Sequence, residues 1–130
     1  MATQNFAYDH PAYLQRYTGG GQTTAGNGTV SNRFAAFTSM RAKSAQVTVI
    51  TAGTAAGHGV TISKLSGTAT TSLAAVTLST SAIGVTTNLT LGNTALAQGD
   101  ALICSNGTDA TGVAAVTYEL VATPGANVTE

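Results

Sequence analysis

An all-β fold, an antiparallel sandwich or barrel, is what this sequence predicts, and three observations predict it. Thr, Val and Ile recur in short alternating runs, and these side chains suit a pleated, half-buried surface. Gly and Asn clusters break the runs at spacings of about 8–15 residues, as strand connections do. No long amphipathic helical pattern competes with them.

The runs can be taken in order. Arg33 to Arg41 carries Phe34, Phe37 and Met40, whose spacing alone also fits a helix. Ala45 to Thr51 brings Val47, Val49 and Ile50, and Val60 to Leu65 sets Val60 and Ile62 on one face. Leu73 to Ser79 holds Val76 and Leu78. Val85 to Leu91 is the cleanest alternation, with Val85, Thr87, Leu89 and Leu91 on one face and Thr86, Asn88 and Thr90 on the other. Asp100 to Ser105 is apolar on both faces and suits a central strand. Val113 to Val121 ends the series with Val116, Tyr118 and Leu120 on one side. Turn signals separate the runs at Ala52-Gly53, Gly57-His58-Gly59, Ser66-Gly67, Ile83-Gly84, Leu91-Gly92-Asn93, Gln98-Gly99-Asp100 and Asn106-Gly107-Thr108-Asp109. Phe34 to Lys43 and Thr94 to Gln98 have room for a helical turn each.

The aromatics are distributed differently. Phe6, Tyr8, Tyr13 and Tyr17 crowd the first 17 residues, and only Tyr118 follows Phe37. The body must therefore fill its core with aliphatic side chains and Thr. Gly19-Gly20-Gly21-Gln22-Thr23-Thr24-Ala25-Gly26-Asn27-Gly28 reads as a flexible linker. This gives an arm and linker over 1–28, a body over 29–123 and a tail over 124–130. Tyr offers a large apolar ring with a polar tip, so Phe6, Tyr8, Tyr13 and Tyr17 are the candidate partner-binding residues. The arm either docks on another protein or a neighbouring copy, folds back on its own body, or stays disordered.

Bulk composition narrows the function classes. The 130 residues suit one domain, and the net charge is zero, with five basic and five acidic side chains. An overall basic excess, which nucleic acid or an anionic membrane would reward, is lacking. Charged residues make up 8% of the chain, against about 25% in ordinary domains, so short neutral side chains supply the polarity. Such a surface costs little to desolvate and suits large protein contacts. Cys104, the one cysteine, cannot form an internal disulfide and reads as a small buried hydrophobe. No secretory pattern or membrane-length apolar run is visible, so a soluble chain made in a cytoplasm is expected.

Catalysis needs converging ionisable groups, and His10, His58, Asp9, Asp100, Asp109, Glu119 and Glu130 are a thin supply with no Gly-x-Ser-x-Gly elbow. His58 beside Asp100 or Asp109 in a cleft is the arrangement that would favour an enzyme. No ligand spacing points to a metal, and no Gly-Lys-Ser/Thr follows the glycine run, so neither metal nor cofactor is expected. Ser105-Asn106-Gly107-Thr108-Asp109 reads as a strand connection in which Asp109 caps nearby backbone.

Three stretches of the body resemble small virion proteins of tailed bacteriophages: Ala42-Lys43-Ser44-Ala45-Gln46-Val47-Thr48-Val49-Ile50-Thr51-Ala52-Gly53-Thr54, Gln98-Gly99-Asp100-Ala101-Leu102, and Asn106-Gly107-Thr108-Asp109-Ala110-Thr111-Gly112-Val113-Ala114. The likeness is to head decoration, or cement, proteins. It covers roughly residues 42 to 121, is one of texture more than of motif, and leaves out the arm. It implies a β-sandwich, assembly as trimers or other small oligomers, a seat on the capsid exterior where major capsid subunits meet, and no cofactor.

The expectation is thus an antiparallel β-sandwich of jelly-roll type with an extended N-terminal arm, acting as a non-enzymatic virion protein. Its partners would be the major capsid protein and its own copies, as a homotrimer, with no nucleic acid or membrane. The alternative is a receptor- or glycan-binding domain of a phage fibre, which would need an exposed aromatic platform on the body.

Overall fold

A computed structural model of the chain describes residues 16–23, 30–54, 57–109 and 111–122, with 16, 17, 19 and 30–32 as backbone. Among the described residues eight strands follow one another: β1 (Arg16–Gln22), β2 (Val30–Ala35), β3 (Met40–Thr51), β4 (Gly59–Ser66), β5 (Ala69–Thr77), β6 (Thr86–Leu96), β7 (Ala101–Asn106) and β8 (Val113–Ala122). They form two four-stranded sheets, ordered β1-β8-β3-β6 and β2-β7-β4-β5. Every ladder is antiparallel. First pairs with last, second with seventh, third with sixth and fourth with fifth, so the chain is one long hairpin rolled over on itself. That is the jelly-roll arrangement.

The core follows from alternation. On β8, Ala114, Val116, Tyr118, Leu120 and Ala122 are buried while the residues between them face out. On β3, Met40 and Ala42 are buried, and then Ala45, Val47 and Val49. The frame changes because Lys43 bulges: Ala42 pairs with Thr94, but Ser44 pairs with Thr90. The opposing β6 takes up the slack with Gly92 (φ 71°) and Asn93 (φ 56°), a left-handed pair that only Gly and Asn adopt cheaply. Leu91-Gly92-Asn93, expected as a turn, is thus a bulge inside a strand. β7 is central, as its two apolar faces predict, with Leu102 and Cys104 in the core and Ala101 and Ile103 nearly covered on the outer face.

The structure departs from three further expectations. The glycine run expected as a linker contributes β1, whose residues 16–22 pair with Val121 back to Ala115 of β8. A Cβ at Gly20 would overlap the Val116 carbonyl oxygen, so here the absence of a side chain permits close strand approach rather than flexibility. The Phe34, Phe37, Met40 spacing is not helical either. Phe34 is the last but one residue of β2, Phe37 sits in a bend 57% exposed, and Met40 opens β3 fully buried. Likewise Thr94 to Gln98 is strand and then turn. A strand–bend–strand corner reproduces the i, i+3, i+6 spacing by coincidence.

Candidate interaction surface

The outer face of the first sheet is built as cross-strand rows. Thr18, Glu119, Ser44 and Thr90 lie side by side, then Gly20, Thr117, Gln46 and Asn88, then Gln22, Ala115, Thr48 and Thr86. Neighbouring strands are about 4.8 Å apart, so each row is a continuous strip. Hydroxyls link across it: Thr48 Oγ1 and Thr86 Oγ1 are 2.8 Å apart, and Ser44 Oγ donates to Glu119 Oε1 at 3.1 Å. Glu119 is the only charged side chain in these rows. A shallow recess of about 430 Å³ lies over Thr18, Ser44, Gln46, Asn88, Thr117 and Glu119. The next row toward the strand ends changes character, with Arg16 and Arg41 flanking Val121.

The two ends of the sandwich are unlike. At one end the loops after β3, β5 and β7 lock together. His58 is fully buried, and its carbonyl accepts from Leu78 N at 2.8 Å and Ser79 N at 3.0 Å. Its Nδ1 lies 3.3 Å from Ser79 O, while Nε2 has no hydrogen-bond partner. Asp109 Oδ1 accepts from Thr111 N at 2.7 Å and Gly112 N at 2.8 Å, and Oδ2 accepts from Thr54 N at 2.8 Å. It caps backbone, as its turn position predicts. Asp100 belongs to the opposite end, so His58 and Asp100 do not meet.

At that opposite end, β1 begins and β8 finishes, and the bend after β2 meets the turn before β7. Ala36 N donates to Asp100 O at 2.7 Å, and Gly99 N to Ala36 O at 2.9 Å. Lys64 Nζ donates to Ala95 O at 2.8 Å and lies 3.5 Å from Asp100 Oδ2. Asp100 also accepts from Ala97 N at 3.0 Å and Ser66 Oγ at 2.9 Å. The Ala97 N–H, then the Ser66 hydroxyl, with smaller help from Lys64, hold the Asp100 carboxyl below the usual range against the opposing effect of burial. A lowered folded value makes this stabilisation present above the unfolded value of about 3.9 and lost as pH falls through the folded one. Asp100→Asn is therefore expected to lower stability at neutral pH and to flatten the acid limb of stability below about pH 4, read from thermal unfolding across a pH series.

Of the residues expected to bind a partner, Phe6, Tyr8 and Tyr13 lie outside the described residues. Tyr17 is on β1, opposite Leu120. Tyr118 is fully buried, so it offers no platform to a sugar. Cys104 is fully buried too, beside Tyr118. The outer-face rows and the basic end escaped sequence reasoning, because both depend on which strands become neighbours. The alternation of β8 and β3 gave the outward positions, but not their rows.

No family model matches the chain, and no curated protein matches it in sequence. Solved structures with partial likeness include a chain of infectious bursal disease virus, Gx strain, with TM-score 0.49 and 17% identity over 88% of this chain and 33% of that one. A chain of the Gt strain gives 0.40 and 14% over 87% and 32%. A family two carbohydrate esterase from Cellvibrio japonicus gives 0.37 and 10% over 85% and 34%. The chain thus spans about a third of the length of each. With TM-scores below 0.5, nothing about this chain's role rests on them.

Proposed function

We propose that the chain is a non-enzymatic structural protein of a virion, which seats on the outside of a tailed-phage capsid between major capsid subunits and stabilises the head. The observation that carries this reading is the neutral outer face of the first sheet. Its rows of Thr, Ser, Asn and Gln hold one carboxylate among uncharged donors and acceptors. Burying such a face against protein incurs little charge desolvation, and its polar groups can be re-paired across the contact. Copies on a repeating shell need little affinity each if they associate, as trimers in this reading, because linked contacts act multivalently. The rings of Phe6, Tyr8, Tyr13 and Tyr17 act as the anchor. The glycan-binding reading gains no support from the body, since Tyr118 faces the core.

The test is retention on shells of the encoding phage prepared without this chain. Wild type is expected to bind and to raise the temperature at which the shells open. Deleting residues 2–15 is expected to weaken binding about 10-fold or more, the scale of a lost aromatic anchor of roughly 1.4 kcal/mol or above. The deletion must stop before Arg16, because residues 16–22 are β1. Undiminished binding by a folded deletion variant would remove the arm as anchor. Failure of wild type to bind would remove the capsid reading.

A further inference from the structure

The charged side chains are segregated along the sandwich. All five Lys and Arg, Arg16, Arg33, Arg41, Lys43 and Lys64, lie in the strand halves nearest the end where β1 starts and β8 finishes. Among the described residues, the acids in that half are Asp100, which lies beside Lys64, and Glu119, which accepts from Ser44. Arg33, Arg41 and Lys43 are exposed, and no ion pair among the described residues engages them. Phe37 projects from the bend between Arg33 and Arg41 at 57% exposure. The opposite half has no exposed charge among the described residues, because Asp109 and His58 are both buried.

An exposed aromatic side chain on an end that also carries exposed cations has the composition of a protein-binding hot spot, in which the ring fills a recess and the rim charges steer and orient. We infer that this basic end, with Phe37 in its bend and Arg33, Arg41 and Lys43 on the strands either side of that bend, is the end that faces the shell, and that its partner is an acidic protein surface with an apolar recess. The inference rests on the capsid reading above and fixes which way the molecule stands. Connectivity agrees: the residues before Arg16 and after Ala122 join the sandwich at this end, so the aromatic segment enters from the same side as the cations. A chain of zero net charge gains long-range attraction to an acidic surface only by such segregation.

The experiment compares full-length variants on the same stripped shells. One reverses charge (Arg33→Glu, Arg41→Glu, Lys43→Glu), one neutralises it (Gln at the same three sites), one is Phe37→Ala, and a control at the other end is Ile83→Glu, since Ile83 is 71% exposed there. Unfolding curves establish that each is folded. Wild-type affinity is expected to fall about 10-fold or more between about 50 and 500 mM salt, as the screening length shrinks from about 14 Å to about 4 Å. Charge reversal should reduce affinity at low salt by more than neutralisation does, both should flatten the salt dependence, and Phe37→Ala should weaken binding at every salt. Ile83→Glu should bind like wild type. Wild-type affinity in the charge-reversed protein, or loss of binding in Ile83→Glu alone, would overturn the assignment while leaving the capsid reading intact. Absence of wild-type binding would remove both. Salt-sensitive binding to naked duplex DNA, without binding to shells, would identify nucleic acid as the acidic partner and overturn the inference.

Discussion

Replacing Tyr118 by alanine is expected to destabilise the fold by about 3–5 kcal/mol, the largest effect of any single side-chain truncation among the described residues. Among the described residues Tyr118 is the largest fully buried side chain, on central strand β8. Across the sandwich its ring meets Phe34 of β2, at a centroid distance of 6.5 Å and a tilt of 56°, and the Cys104 thiol of β7 lies beside it. One ring therefore ties the two sheets together. Its surroundings are Ala, Val, Leu and Met, fixed by strand pairing and too small to close over the space left behind. Tyr118→Phe separates packing from polarity: it retains the ring and is expected to cost about 1 kcal/mol for the hydroxyl. Burial, with Cys104 adding to it, pushes the phenol well above its ordinary range. A raised folded value means that stability is fully present below the unfolded value of about 10 and is lost as pH rises from there toward the folded one. The phenylalanine variant should show a flatter alkaline limb than wild type. Denaturant unfolding at neutral pH, repeated above about pH 10, checks both statements. A loss near 1 kcal/mol for Tyr118→Ala would mean that the ring does not hold the sheets together.

What the sequence made legible follows from one physical rule, that a strand's side chains alternate. Six of the eight strands lie where alternation or a continuous apolar run placed them. Val113 to Val121 matches β8 with Val116, Tyr118 and Leu120 inward, and Asp100 to Ser105 matches the central strand β7. The rule fails where something other than a buried face specifies the strand. β1 is Arg-Tyr-Thr-Gly-Gly-Gly-Gln, whose glycines carry no alternation signal, and it exists because β8 offers an open edge that only a slim backbone can approach. The corner at Ala36–Ser39 fails for the opposite reason: three large apolar residues fall at helical spacing across a change of direction between sheets. The basic end was invisible because Arg33, Arg41, Lys43 and Lys64 are spread over more than thirty residues, and only the rolled topology places them at one end. Asp109 was legible as a turn cap because that role is local. The enclosure of His58 was not, since it requires three loops to converge.

That enclosure sets the second large expectation, which concerns a glycine. Gly112 packs against the imidazole so closely that a Cβ there would overlap Cγ, Cδ2 and Nε2 of His58. Gly53 covers the other side, where a Cβ would fall 2.6 Å from Nδ1 and 2.6 Å from Ser79 O. His58 cannot swing away, because its ring is fully buried and its carbonyl holds Leu78 N and Ser79 N. Gly112 cannot shift either, because its N–H is held by Asp109 Oδ1 and its carbonyl accepts from Asn106 Nδ2 at 2.9 Å. One methyl group must therefore break a hydrogen bond or part the loops, and Gly112→Ala is expected to cost about 2–4 kcal/mol, at the upper end of overpacking. His58→Ala should itself be destabilising, by about 2–3 kcal/mol, through the cavity it leaves. The decisive measurement is the double variant. If the clash with the ring is the cause, Gly112→Ala adds almost nothing once the ring is gone, so the two costs fall short of additivity by nearly the whole glycine cost, about 2–4 kcal/mol. Strict additivity would place the strain in the backbone at residue 112 instead, and the ring and glycine would then be neighbours rather than a lock.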